Sequence, residues 1–250
     1  MIDHLSPSQI SMFLRCPKQW EFRYVQGLKI PPSGAMVLGS AYHEGLAERF
    51  RFIIKNKFQP YPLLAVDYFD TAFERIRREH LVTEEDETVP FDEIQWEQDP
   101  GELKDIGVRL LQKYEKVIAP NIEPVSVEEK DTLIIGDIPV CLITDLETST
   151  KTIDHKVKKR LFSEDDLRQS IQGTIYPMAT LKPLEFHVAK TKVPDIVIQP
   201  TSRSVADEAF CIKQIKAIWQ AISTGVFPPN DQGWHCNEKW CGYWKLCKES

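Results

Sequence analysis

The spacing of hydrophobic and polar positions changes twice along the chain. Apolar residues recur at helical spacing in the first half, form short β-branched runs in the middle, and return to helical spacing towards the C-terminus. A short helix is predicted after Ser6, because a serine cap precedes a proline at the first helical position. Longer helices are predicted over about 40–55, 64–81, 102–117, 163–178 and 204–223. Strands are predicted over 133–135, 140–143, 152–157, 185–189 and 195–198.

Helices followed by a strand-rich middle and further helices predict an α/β fold with a small mixed β-sheet flanked by helices. At 250 residues the chain is long enough for one sizeable core, so we expect a single domain over 1–250. Its parts are a mainly helical segment, a sheet with a helix, and a C-terminal helix with a cysteine-rich tail, over 1–120, 121–200 and 201–250. The segment 83–101 is acidic and contains two prolines, which predicts a surface loop or insertion.

Composition and charge exclude several classes of protein. No stretch approaches a membrane span, which needs about 18 to 20 apolar residues, and the N-terminus lacks the basic start and apolar run of a secretory signal. We therefore expect a cytoplasmic protein without membrane contact. The net charge of −6 argues against coating nucleic acid by bulk charge. A local basic groove is still possible around 151–160, although a solvated turn rich in lysine would have the same composition.

Two aspartates and a lysine in the predicted strands form the first candidate site. Asp154 and Lys156 lie two apart in a strand, so their side chains share a face, whereas His155 points away. A symmetric turn centred on 149–150 would set Asp145 opposite Asp154. Two facing carboxylates favour a divalent cation such as Mg²⁺ or Mn²⁺, which with a lysine suits cleavage of phosphodiesters. A one-residue slip would separate the acids, and a surface hairpin with ordinary charges is the alternative interpretation.

Three further residues could support this site. Gln172 and Tyr176 are four apart and share one helix face, from which they could reach the active site. A helix-boundary glutamine and a half-buried tyrosine would give the same pattern. His43 lies early on the apolar side of its helix, where a histidine is more often part of the core than a ligand. Spacing alone therefore assigns no role to these three side chains.

Four cysteines near the two chain ends form the second candidate site. They are Cys16 and, within the last fifteen residues, Cys236, Cys241 and Cys247. In a reducing compartment such a group favours a metal over disulfides, and four thiolates suit either an iron–sulfur cluster or tetrahedral zinc. The spacing does not choose between them, and His235 is a possible substitute ligand. Cys141 and Cys211 fall in apolar patterns, which predicts core thiols.

The order of these motifs resembles the RecB-like branch of the PD-(D/E)xK nucleases, a group that includes CRISPR-associated and phage exonucleases. The segments 6–8, 16–17 and 20–24, which read SPS, CP and WEFRY, are similar to the opening of those proteins. The segment 39–43, GSAYH, is similar to their G-x-x-x-H segment and makes His43 a metal-site candidate. The resemblance runs in order from Ser6 to Cys247 and covers most of the chain.

The catalytic motifs of that branch have counterparts here, in order, in Asp145, Asp154, Lys156, Gln172 and Tyr176. Thr144 stands where the family name has proline, and the second acid is an aspartate where glutamate is more usual. The resemblance implies a restriction-endonuclease-like core that holds Mg²⁺ or Mn²⁺ at His43, Asp145 and Asp154. It implies a DNA exonuclease acting on single-stranded or frayed ends, in recombination or repair, phage replication or CRISPR adaptation. A helicase, or recombination or CRISPR proteins, would be its partners.

The resemblance also implies a 4Fe–4S cluster that staples a helical subdomain made from both chain ends. Its ligands would be Cys16, Cys236, Cys241 and Cys247. The first gap in the tail is four residues, where two are more common in those proteins, so zinc remains an alternative. Two other functions stay open: a non-catalytic iron–sulfur module that binds nucleic acid in a repair or adaptation complex, and a zinc-stapled structural protein.

Overall fold

The computed structural model describes residues 2–80 and 94–249, in which helices precede and follow one β-sheet. The helices are α1 Pro7–Arg15, α2 Pro17–Tyr24, α3 Gly34–Asn56, α4 Leu64–Glu79, α5 Pro100–Val117, α6 Glu164–Gln169, α7 Gln172–Thr180, α8 Val205–Ser223 and α9 Trp244–Glu249. The strands are β1 Ser126–Ile135, β2 Ile138–Glu147, β3 Thr152–Lys158, β4 Leu184–Lys190 and β5 Asp195–Pro200. Across these described ranges, no helix has both the length and the apolar character that crossing a membrane requires.

In the described part of the chain, β1 to β5 form a five-stranded mixed sheet in which spatial order follows sequence order. β1, β2 and β3 are joined antiparallel, β3 and β4 run parallel, and β5 returns antiparallel to β4. The parallel pair requires a crossover connection, and α6 with α7 supplies it. The predicted α/β fold with a small mixed sheet flanked by helices is confirmed.

Helices cover both faces of the sheet, and each face has its own hydrophobic layer. Phe69 of α4 and Leu110 of α5 are buried in the layer that also contains α3. Ile10 of α1, Ile175 of α7 and Ile215 of α8 are buried in the opposite layer. Successive side chains of β3 therefore point alternately towards α5 and towards α7, and this alternation positions the candidate site.

The N-terminal helices differ from the prediction in their bounds. α3 begins at Gly34, six positions before the predicted start, because the Ser33 side chain accepts a hydrogen bond from the Met36 N–H and caps it. Gly34 and Gly39 lie in this first part of α3, and they interrupt the regular spacing of apolar residues that predicts a helix. α2 was not predicted at all, and it starts directly after the extended Cys16, with Pro17 at its first position.

The single helix predicted over 163–178 is instead two helices, α6 and α7. Ser163 caps α6 as predicted, and Asp166 completes a capping box with it. Ser170 then adopts an extended conformation and ends α6, so α7 starts afresh at Gln172. This break turns α7 into a separate helix beside β3.

The segment 83–101, predicted as a surface loop, lies partly outside the described residues, as does the predicted end of α4 at Leu81. In its described part, Ile94 is buried and Gln95 forms a β-bridge with Ser33. Asp99 caps α5, which begins at Pro100. The described end of this segment is thus attached to the start of α3.

Candidate active site

Two carboxylates and an imidazole meet where β1, β2 and α3 come together. His43 Nδ1 lies 3.3 Å from Asp145 Oδ2. Glu128 of β1 completes a group whose candidate ligand atoms all lie within 4.8 Å of one another. Carboxylate oxygens with one imidazole suit Mn²⁺ and, with water, Mg²⁺. The predicted pair of His43 and Asp145 is therefore joined by a third residue.

Sequence reasoning missed Glu128, although a signal for it was present. β1 and β2 form a hairpin around a two-residue turn at 136–137, where Ile135 pairs with Ile138. Counting outwards from this turn along both strands brings Glu128 opposite Asp145. A glycine and an aspartate between two apolar runs is a recognised hairpin signal. The strand register that predicts Asp145 opposite Asp154 across the next turn therefore places Glu128 opposite Asp145 across this one.

Asp145 and Asp154 lie on neighbouring strands in the predicted register, but they do not form a ladder pair. The ladder between β2 and β3 holds the two pairs nearest the turn, Leu146–Ile153 and Glu147–Thr152. Beyond them, Asp145 Oδ2 accepts a hydrogen bond of 2.7 Å from the backbone N–H of His155. The expectation of directly opposed acids is corrected: β3 leaves β2 here and continues its pairing with β4.

Asp154 lies on the α7 side of β3, in a polar group with Lys156, Gln172 and Tyr176, whereas Asp145 is outside this group and faces His43. Its side chain is 1 % exposed, and Lys156 Nζ lies 2.5 Å from its Oδ2. Gln172 Nε2 donates to Asp154 Oδ1 at 3.1 Å and to the Tyr176 hydroxyl oxygen at 3.0 Å. The Tyr176 hydroxyl in turn donates to the carbonyl of Ile143 on β2 at 2.9 Å. The break between α6 and α7 is what brings Gln172 to this position.

The two aspartates have opposite pKa shifts. Burial raises the pKa of Asp145, but the facing His43 outweighs it, and the pKa ends below its usual range. For Asp154, burial raises the pKa to about 6, since the attraction of Lys156 is partly cancelled by the charge of Asp145. Burial lowers the pKa of His43, yet Asp145 raises it further, so the net direction is upward. A bound cation would relieve the repulsion between these carboxylates.

The four predicted cysteines also come together, since Cys16, Cys236, Cys241 and Cys247 line one cavity. Gln19 Nε2 lies 2.9 Å from the sulfur of Cys241, and the backbone nitrogen of Asn230 lies 3.4 Å from the sulfur of Cys16. His235 also lines the cavity, and its Nε2 is buried with no hydrogen-bond partner. In residues 2–80 and 94–249 no three cysteine or histidine ligand atoms lie within 4.8 Å of one another. No described cysteine forms a disulfide.

The two remaining cysteines lie apart from this cavity. Cys211 of α8 is buried, as predicted for a core thiol, and burial raises its pKa to about 11. For Cys141 of β2 the prediction of a core thiol is wrong, because Cys141 is only half-buried and its sulfur lies 3.6 Å from the Thr132 hydroxyl on β1.

Comparison with known proteins shows which family this geometry belongs to. A crystal structure from Eubacterium rectale, described as a "putative exonuclease", shares the fold with a TM-score of 0.60 and 13 % sequence identity, covering 98 % of this chain and 88 % of that chain. No curated protein sequence matches the chain. The family model of the PD-(D/E)XK nuclease superfamily matches residues 4–248. The chain therefore belongs to the PD-(D/E)XK nuclease superfamily.

Proposed function

We propose that this protein is a metal-dependent DNA exonuclease of the RecB-like branch, which hydrolyses phosphodiester bonds at single-stranded or frayed ends. The observation that carries the proposal is the group of His43, Glu128 and Asp145 beside the ion pair between the buried Asp154 and the half-buried Lys156. Membership of a nuclease superfamily supports the reaction class. The description of the Eubacterium rectale structure as an exonuclease supports the preference for ends.

The residues of this group fit a divalent cation. His43, Asp145 and Glu128 supply ligand atoms within 4.8 Å of one another. Asp154, the fourth proposed ligand, lies outside that group, and its two oxygens contact Lys156 and Gln172. When bound, Mg²⁺ or Mn²⁺ would polarise the phosphate and lower the pKa of a water molecule. The backbone N–H of His155 holds one oxygen of Asp145 in place and leaves the other for a ligand. The donor set is thus oriented before a cation arrives.

Lys156 is the residue proposed to act on the reacting phosphate. Its ammonium pairs with Asp154 at 2.5 Å, and the side chain is 24 % exposed, so it reaches the surface from a buried carboxylate. A compact positive charge there stabilises the negative charge that builds on phosphate oxygens in the transition state. Gln172 and Tyr176 do not need to touch substrate for their role. They fix Asp154 and tie α7 to β2, which makes them positioning residues.

Basic and aromatic groups beyond the site support a nucleic acid strand as substrate. Lys158 continues the face of Lys156 along β3, and its ammonium lies 3.4 Å from the ring centre of Phe162. Lysines beside aromatic rings are the surface that single strands use for phosphate and base contacts. The sequence has no G-x-x-x-x-G-K-[ST] motif, so any strand-separating helicase would be a separate partner protein.

We further propose that the four-cysteine cavity holds a 4Fe–4S cluster that clips the chain ends together. Four thiols line this cavity, and beside them His235 Nε2 is buried without a hydrogen-bond partner, which is a set of side chains that suits a metal cluster. Sulfurs around one zinc ion would lie about 3.8 Å apart, given a zinc–sulfur bond of about 2.3 Å. The described ligand atoms are spread more widely than that, which favours a cluster of several irons.

The proposal is tested by digesting 5′- and 3′-labelled single- and double-stranded DNA with anaerobically purified protein, with and without Mn²⁺. We expect cleavage from ends that requires the metal. Asp154→Asn removes a ligand charge and Lys156→Ala removes the ammonium, so each should lower the rate by roughly 10²-fold or more. Asp165→Asn changes an exposed aspartate on α6 and is the matched control.

Cleavage that is unaffected by both Asp154→Asn and Lys156→Ala would remove the site assignment. Wild-type protein that binds labelled DNA but never cleaves it would favour the non-catalytic binding module. Metal analysis of the same preparation distinguishes iron from zinc in the cysteine cavity.

A further inference from the structure

A chain of hydrogen bonds runs along the face of the sheet that α5 covers, from His155 beside the active site to Glu185 on β4. His155 Nε2 lies 3.0 Å from the Tyr114 hydroxyl, and that hydroxyl lies 2.7 Å from His187 Nδ1. His187 Nε2 lies 3.4 Å from a carboxylate oxygen of Glu185, which pairs with Lys151 at 2.7 Å. The two histidines and the tyrosine are at most 2 % exposed.

The protonation state of Glu185 determines which atom is the donor and which is the acceptor in each of these hydrogen bonds. Burial raises the pKa of Glu185, but its bond to Lys151 outweighs burial and leaves the pKa below its usual range. An ionised carboxylate only accepts, so His187 carries its proton on Nε2 and its lone pair on Nδ1. Tyr114 then donates to His187, and its oxygen accepts from Nε2–H of His155.

His155, the last residue of this series of hydrogen bonds, faces the proposed metal ligand Asp145. With its proton on Nε2, His155 has a bare lone pair on Nδ1, which lies 3.8 Å from Asp145 Oδ2. The other tautomer would point an N–H at that oxygen, which already accepts the backbone N–H of His155 and faces His43 Nδ1, and it would weaken the negative potential of the carboxylate. Phe50 stacks on the His155 ring with centres 6.4 Å apart and planes 11° apart, so the ring has little freedom to turn.

We propose that Tyr114, His187 and Glu185 are positioning residues of the nuclease site, which hold the His155 ring so that Nδ1 presents a lone pair to Asp145. Two acceptors side by side strengthen the negative potential that a divalent cation neutralises. The inference rests on the proposed function for its kinetic consequence, but the tautomer itself does not depend on activity. It also explains why polar side chains occupy core positions that apolar ones would fill at lower cost.

Nitrogen-15 NMR of the imidazole rings in metal-free protein tests the tautomer directly. We expect the spectrum to show His155 and His187 each protonated on Nε2. In Tyr114→Phe the acceptor for His155 is lost, so a mixture of tautomers should appear at His155. A wild-type spectrum with the proton on Nδ1 of His155 would overturn the proposal whether or not the protein cleaves DNA.

A double-mutant cycle tests the kinetic consequence. Tyr114→Phe and Glu185→Gln should each lower kcat, and each should raise the Mn²⁺ concentration for half-maximal activity, by roughly 10-fold. Because both cut one chain, the double variant should be no worse than the more damaging single variant. Thr152→Val removes an equally buried hydroxyl from β3 that bonds Thr180, and it serves as the control for lost stability.

Single variants with wild-type kcat and Mn²⁺ activation, or effects that multiply in the double variant, would refute the positioning role. Loss of activity in Thr152→Val as large as in Tyr114→Phe, at equal unfolding free energy, would refute it too. Wild-type protein without nuclease activity would instead count against the proposed function, and the NMR result would still decide the tautomer.

Discussion

Glu128 combines backbone strain with a position in the candidate metal site. It lies within β1 yet has a φ of +52°, in the left-handed region that side chains other than glycine adopt at a cost. The pairs Val127–Leu146 and Glu129–Thr144 flank it and hold this conformation. Burial raises the pKa of its carboxyl group, and the charge of Asp145 adds to the effect. Strain of this kind costs about 1–3 kcal/mol and persists where surrounding structure enforces it.

We expect Glu128→Gly to separate stability from activity. Glycine accepts a positive φ, so the free energy of unfolding should rise by about 1 kcal/mol in urea denaturation. Because a carboxylate ligand is lost, the Mn²⁺ concentration for half-maximal cleavage should rise by about 10-fold. Lys57→Gly is a matched control, since Lys57 ends α3 with a φ of 63° on the surface. It should gain similar stability and keep wild-type activity, and equal metal dependence in both variants would contradict the role of Glu128.

The turn between β2 and β3 sets the spacing of Asp145 and Asp154 without a glycine or asparagine. The Thr148 side chain replaces them, because its Oγ1 accepts hydrogen bonds from the N–H groups of Thr150 at 3.2 Å and Lys151 at 3.0 Å. The Thr148 N–H donates to the Lys151 carbonyl at 2.9 Å and closes the turn.

Thr148→Val should therefore weaken both the hairpin and the site. Two backbone N–H groups lose their acceptor, so we expect the free energy of unfolding to fall by about 1–2 kcal/mol in urea denaturation. Misplacement of Asp145 relative to Asp154 should lower the cleavage rate by about 10-fold or more. Thr150→Val, in the same turn with an exposed side chain, should change stability by no more than about 0.5 kcal/mol. A Thr148→Val enzyme with normal activity would show that this turn does not set the site.

Elements with strong periodicity were predictable, and those set by local caps or tertiary contacts were not. The strands and α5 and α8 follow apolar spacing that survives in any context. The start of α3 depends on the Ser33 cap and lies among glycines, and α2 is a short helix with a low share of apolar positions. The break at Ser170 that creates α7 has no proline or glycine to mark it. The order and type of most elements were thus predictable from apolar spacing, but the start of α7, the helix that carries Gln172, was not.

The candidate site was predictable where it follows strand alternation. Asp154 and Lys156 share a face and His155 faces α5, as a period of two requires. The convergence of His43 with Asp145 came from the family resemblance and depends on how α3 packs across β1 and β2. The link from His155 through Tyr114 to His187 joins residues 41 and 73 positions apart, and no spacing rule connects them.

In the whole molecule, two buried histidines should contribute a loss of stability as the pH falls below neutral, because both stay neutral in the folded protein. Burial lowers the pKa of His187 to about 4, and it lowers that of His155 as well. In the unfolded chain these two imidazoles bind protons near pH 6.5. The free energy of unfolding is therefore unaffected by them above that pH, and it falls as the pH drops towards 4. For His187 alone the loss is about 2 kcal/mol between pH 7 and pH 5. Urea denaturation at both pH values measures the change in the free energy of unfolding between pH 7 and pH 5. This change should be smaller for His187→Asn than for wild type or for the exposed control His4→Asn. An equal difference in all three proteins would contradict this account.

The ends of the chain are joined through the cysteine cavity, so its occupancy should govern the order of the whole C-terminal tail. Cys16 lies between α1 and α2, whereas Cys236, Cys241 and Cys247 lie more than 200 positions later. A metal held by both segments contributes directly to folding free energy, and the tail has few buried side chains of its own. With the proposed 4Fe–4S cluster in this cavity, we expect Cys16→Ser to lose iron and visible absorption after anaerobic purification, and its tail to be cut faster in limited proteolysis.

Cys141→Ala is the control for this change, because Cys141 is half-buried on β2 and lies outside the cavity. It should keep its iron and its tail protection. A chelator added to wild-type protein should reproduce the proteolysis pattern of Cys16→Ser, since both empty the same cavity. If the wild-type protein instead contains zinc and its tail is equally protected from proteolysis, the cavity joins the chain ends through zinc and not through an iron–sulfur cluster. Iron that remains at the wild-type level in Cys16→Ser would instead show that the first helices do not contribute a ligand. The link between the two chain ends would then come from protein contacts such as the packing of Phe22 against Tyr243 and the hydrogen bond from the Tyr243 hydroxyl to the Leu28 carbonyl.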